Sequence, residues 1–214
     1  MPLDRETRWA RRYRHPTRKL VRIVSRIEDG SATVTLEEVR SGWGTWAESD
    51  RIDFCQGCAW LHGHPDFPDI VRFIIGEASW QECSGIALCV ARELPTDEAF
   101  SLLDAALERT PLEYRSNVLQ ALALTRHAEA ADRLRVVLAE LRRHPSYACD
   151  APFINDLALT ATHCVGYLLE LGAPPTSLAD VVQELSQHAC AANRTSCARV
   201  LGASFPRLRG PAPG

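Results

Sequence analysis

From residue 66 to residue 203 the chain keeps a helical apolar rhythm, broken every dozen or so residues by a short polar, proline or glycine stretch. PDIVRFIIGEA (68–78) runs into WQECSGIALCVAREL (80–94), then TDEAFSLLDAALERT (96–110), which opens on a capping threonine at Thr96 with acids behind it and puts Phe100, Leu103 and Leu107 on one side. Amphipathic stretches follow at 112–125, at 128–144 with acids early and bases late, and at 153–172, ended by Gly172 and the Pro174–Pro175 pair. SLADVVQELSQHA (177–189) and ANRTSCARVLGA (192–203) complete the series. A chain punctuated in this way can bury its apolar stripes only by packing helix on helix.

Short connections favour antiparallel neighbours, which pairs 67–78 with 80–94, 96–110 with 112–126, 128–144 with 153–172, and 177–189 with 192–203. Asn117, Asn155 and Asn193 recur at intervals of 38 residues, each early in the second helix of its pair and each before a mainly small, apolar stretch. A polar side chain there can satisfy free backbone donors or reach the preceding turn.

The second-helix text EYRSNVLQALALTRHAEAADRLRVVL (113–138) resembles the HEAT-like helical-repeat family, in which an Arg or Asp precedes a run of small apolar residues, a short turn follows, and the next repeat begins. The resemblance covers about residues 66–203 and implies an all-α fold: antiparallel helical hairpins stacked as a short right-handed solenoid with an irregular N-terminal cap. It implies a binding surface and is nearly silent on activity. RRHPSYACDAP, longer than a regular connection, and the polar last pair depart from the pattern. The expected organisation is a basic arm (1–17), a cap with a first helical segment (18–65), the repeat body (66–203) and a flexible Pro/Gly-rich tail (204–214).

Within the cap, RKLVRIVSRI (18–27) suits a basic amphipathic helix or a short strand. SATVTLEEV (31–39) mixes strand-like residues with a cap at Thr35 paired to Glu38, and its helical reading suits an all-helical stack better. SGWGTWAESD (41–50) reads as a loop whose Trp43 and Trp46 either pack across the open end of the stack or meet a partner.

CQGCAWLHGH (55–64) is the strongest chemical pattern. The spacing of Cys55 and Cys58, with His62 or His64 as a third ligand, is compatible with zinc. The same spacing places Cys55, Cys58 and His62 on one face of a helix, as burial would. A closed site needs a fourth ligand, such as Cys83 or Cys89 from another helix. The strand-to-helix setting of a thioredoxin-like redox pair is missing. His188, Cys190 and Cys197, approached by His163 and Cys164, form a second candidate cluster, and Glu48, Asp50, Asp53, Asp66 and Asp69 an acidic one. Neither has a spacing that demands catalysis, and there is no phosphate-binding glycine loop or serine elbow. The eight cysteines, most of them inside helical apolar patterns, read as buried thiols rather than disulfides.

A net charge of −3 hides an uneven distribution: residues 1–26 carry +7, from nine Lys or Arg against Asp4 and Glu6, and the remainder carries −10. The acidic body argues against wrapping nucleic acid. In the basic arm, Arg8, Trp9, Arg11, Arg12, Tyr13 and Arg14 interleave bases with aromatics, suited either to an acidic protein surface or to nucleic acid. No apolar run reaches the length of a membrane span, and the charged start lacks the centre of a secretory signal.

The expectation is a cytoplasmic, non-enzymatic helical-repeat scaffold or regulatory protein whose partner is another protein. Trp43, Trp46, Glu48, Asp50 and Asp53 are the contact candidates, and neutralising a basic toxin or nuclease, as an immunity protein does, is one use of such a surface. The alternatives are a HEAT-like nucleic-acid-binding or base-repair protein working through the basic arm, and a zinc enzyme at CQGCAWLHGH. No cofactor other than that zinc is implied.

Overall fold

The computed structural model describes residues 35–58, 65–148 and 156–205. The basic arm, the segment 18–34, His62, His64, Cys149, Asn155 and most of the tail lie outside the described residues. The described chain is all α, ten helices and two short 3-10 segments, and it contains no strand. None of its helices is long and apolar enough to cross a membrane.

Local chemistry explains most helix ends. Helix α1 (Leu36–Trp43) opens on a capping box: Thr35 Oγ1 accepts the Glu38 N–H at 3.2 Å, and the Glu38 carboxylate accepts the Thr35 N–H at 3.1 Å. The stretch 41–50, read from sequence as a loop, instead holds the last turn of α1, a short turn and the start of α2 (Glu48–Gly57). Helix α3 (Phe67–Glu77) carries Pro68 in its first turn, where a missing N–H is harmless. Two residues separate it from α4 (Trp80–Glu93).

Helix α5 (Thr96–Arg109) starts one residue earlier than its capping pattern suggests: Pro95 holds the cap position, and Thr96 is already helical. A 3-10 turn at Leu112–Tyr114 precedes α6 (Ser116–Thr125), which closes on Arg126 in the left-handed region (φ 52°). Then come α7 (Ala130–Arg143) and α8 (Asp156–Glu170). Helix α8 ends on Gly172 at φ 87°, with the Ala173 N–H reaching Leu168 O at 2.9 Å and the Gly172 N–H reaching Leu169 O at 3.0 Å, a Schellman closure that favours glycine. A 3-10 turn (Pro175–Leu178), α9 (Ala179–Ser186) and α10 (Ala191–Leu201) finish the chain.

Neighbours in sequence pack together as α3 on α4, α5 on α6, α7 on α8 and α9 on α10. The second members also pack in series, α2 on α4, α4 on α6, α6 on α8 and α8 on α10, and this row carries the core. One glycine permits a close crossing in it: a Cβ on Gly85 of α4 would stand 2.9 Å from Cys55 Cβ of α2, whereas one on Gly166 of α8 would meet Val200 of α10 at an ordinary contact distance of 3.4 Å. The first members are far less intimate: α3 and α5 touch lightly, and pairs further along are joined mainly by charge.

Candidate functional site

Trp43 and Trp46 are both buried. Their rings lie 6.0 Å apart, Trp43 meets Phe73 edge-on at 6.1 Å, and Trp46 tilts onto Phe54 at 5.2 Å. Arg51 closes the group: it donates to Trp46 O at 2.9 Å, lies over the Trp43 ring, and pairs with the buried Glu82 of α4. These tryptophans therefore fill the join between the first helices and the body, which leaves little of either ring for a partner. Of their acidic neighbours Asp50 is buried, Asp53 half-buried and Glu48 exposed. Asp66 and Asp69 border a different feature, an open groove of about 720 Å³ shared with Glu37 and Arg40, where Arg72 already holds Asp69 at 2.7 Å.

Cys55 and Cys58 are buried at the end of α2, and Cys58 Sγ lies 3.6 Å from Cys89 Sγ of α4. Burial pushes both the Cys55 and Cys58 thiols well above their ordinary range. Among the described residues no group of three or more His, Cys, Asp or Glu is placed to hold a metal ion. His188 is a structural residue: its Nε2–H donates to Tyr147 O at 2.7 Å while Nδ1 accepts the Cys190 N–H at 3.1 Å. Cys190 and Cys197 are buried around it.

The larger pattern is a segregation of charge. Along the first members of the pairs, arginines bridge successive helices: Arg72 of α3 grips Glu98 of α5 through two bonds of 2.6 and 2.9 Å, Arg133 of α7 reaches Asp104 and Glu108 of α5, and Arg142 of α7 meets Glu184 of α9 at 2.6 Å. The Arg72 hydrogen bonds hold the Glu98 carboxyl below its ordinary range. The middle of the row of second members behaves differently. Helix α6, SNVLQALALT, contains no charged residue, and the charges of α4 and α8 are either buried (Glu82) or confined to the helix ends.

The surface across α4, α6 and α8 consequently presents amides, hydroxyls and aromatics. Trp80 stacks on Tyr114 at 4.4 Å, and Tyr114 remains 44 % exposed. Asn117 donates to Ser84 Oγ at 3.0 Å, linking α6 to the neighbouring helix α4 and not, as expected from its position, to a local backbone donor or the preceding turn. Ser116 shares a 2.8 Å hydrogen bond with His163 Nδ1, linking α6 to α8, and Tyr167 lies beside that ring. Leu124, a turn and three residues beyond Asn117 on α6, is 46 % exposed.

Burial, with the Arg199 charge adding to it, holds His163 below the ordinary imidazole range and so favours the neutral ring. A hydroxyl beside a neutral imidazole is the geometry of a nucleophile and its base. Among the described residues no carboxylate meets the other ring nitrogen, and the hydrogen bond joins α6 to α8. Sequence reasoning found Asn117 and His163 but not Ser116, Trp80 or Tyr114, because their meeting depends on which helices neighbour one another. No protein-family model, curated protein or solved structure matches the chain.

Proposed function

We propose that the chain is a non-enzymatic recognition module, a HEAT-like stack of helix pairs that presents the α4–α6–α8 face to another protein. One observation carries this reading: charge is placed along the first helices, while α6, at the centre of the second row, carries none and exposes Leu124, and Tyr114 in the 3-10 turn before it is exposed with its ring stacked on Trp80. Cores of protein interfaces are depleted in charge and enriched in Tyr and Trp, and a few such anchors carry most of the binding energy. The hydrogen bonds Asn117–Ser84 and Ser116–His163 support the reading, because they fix the helices that hold those anchors before any partner arrives.

The test is capture of partners from the native cells with the intact chain and two sets of variants. Tyr114→Arg and Leu124→Asp put a charge on the face; Arg133→Ala alters the opposite layer. A stoichiometric protein retained by the wild type and Arg133→Ala, and lost at least tenfold by both face variants with unchanged helical content, is the expected outcome. Equal retention by all four chains would move recognition elsewhere on the molecule.

A further inference from the structure

Cys58 closes α2, and Cys89 lies on α4, which packs against it. Their sulfur atoms stand 3.6 Å apart, Cys58 Sγ also lies 3.1 Å from Cys55 O, and both thiols are free. The residues are 31 apart in sequence, and their helices are held together independently by Arg51–Glu82 and by the close Gly85–Cys55 crossing. The sulfurs are already in contact, and a disulfide would bring them from 3.6 Å to about 2.05 Å. Burial pushes the Cys58 thiol up, whereas the hydrogen bond shared with Cys58 holds Cys89 below its ordinary range, so Cys89 is the sulfur that loses its proton more readily. The other described cysteines have no such neighbouring sulfur within hydrogen-bond reach.

We infer that Cys58 and Cys89 are a modification site, a dithiol that closes to a disulfide when the protein meets a hydroperoxide. In the first step the Cys89 thiolate attacks one peroxide oxygen. The O–O bond breaks, an S–O bond forms, and the departing alkoxide or hydroxide takes up a proton, leaving a sulfenic acid on Cys89. The Cys58 sulfur then attacks the Cys89 sulfur. The S–S bond forms as S–O breaks, and the leaving hydroxide carries the Cys58 proton away as water. Two thiols lose two electrons, and the hydroperoxide is reduced to an alcohol, or to water when it is hydrogen peroxide. The bond would tie α2 to α4 and close a loop in the unfolded chain, so the oxidised protein should melt at a higher temperature than the reduced one.

The experiment treats the full chain with hydrogen peroxide, blocks remaining thiols under denaturing conditions and maps peptides by mass spectrometry. The expected result is one dominant linkage, joining the peptides of Cys58 and Cys89, dispersed by dithiothreitol and absent from Cys58→Ser and Cys89→Ser. Failure to find that linkage in the wild type at any peroxide dose, or a predominance of other pairings, overturns the inference without relying on a variant. It is equally overturned if added zinc shields these two thiols from alkylation, a chelator restores them, and peroxide produces no link.

Discussion

Gly85 and Gly76 occupy neighbouring helices and carry opposite expectations. A methyl group at Gly85 would press on Cys55 Cβ and on the Gln56 backbone nitrogen, 2.9 and 3.2 Å away, so α2 and α4 must move apart to admit it. Gly85→Ala is expected to cost about 1–3 kcal/mol as an overpacking change. At Gly76 nothing lies within 4 Å, and alanine there should add about 0.5 kcal/mol through helix propensity. Urea unfolding midpoints of the two variants measure both, and shifts of the same sign would contradict this account of the crossing. His163 offers a test by pH. Its folded pKa lies below the unfolded value of about 6.5, so as pH falls the unfolded chain takes up this proton first. Its contribution is therefore full above the unfolded value and declines as pH falls from there toward the lower folded pKa. His163→Asn should lack that share of the acid-side loss, and identical pH profiles for the two proteins would count against it.

Between helices, the arginine bridges and the apolar row do different work. Arg133→Ala removes the links from α7 to both Asp104 and Glu108. Because those carboxylates are largely exposed, the expected loss is about 1 kcal/mol. It should shrink toward zero in about 1 M salt, where screening acts within a few ångströms; a loss that salt leaves unchanged would point to packing instead. The elements themselves were legible in the sequence. Apolar spacing located every helix from α3 onward, and Thr35 with Glu38 marked the start of α1. The error at 41–50 has a physical source: Gly42 and Gly44 read as loop residues, yet a Cβ at Gly42 would stand 2.6 Å from the Trp46 ring, so Gly42, itself in the last turn of α1, makes room for the buried tryptophan of the turn that follows. The sequence offers Cys89 as a fourth zinc ligand arriving from another helix, and it does lie beside Cys58, but among the described residues as a contact of two sulfurs and not as part of a metal-holding group. Arg–carboxylate bridges between residues 25 to 42 apart leave no local signal at all.

For the molecule as a whole, arginine–carboxylate bridges join the first helices, whereas the middle of the second row, α6, carries no charged residue. Serial packing of α2, α4, α6, α8 and α10 holds Trp80, Tyr114, Asn117 and Leu124 on one continuous row of helices, so that under the proposed function binding would not first have to order the surface. The net charge of −10 beyond residue 26 would then act on encounter with a basic partner more than on the strength of the final complex. The most direct measurement is amide hydrogen exchange of the intact chain, alone and with its captured protein partner. The account expects slowed exchange concentrated in α4, α6 and α8 and little change in α5 and α7. Protection centred on α5 and α7, or a face left unprotected while nucleic acid proves to be the bound species, would contradict it.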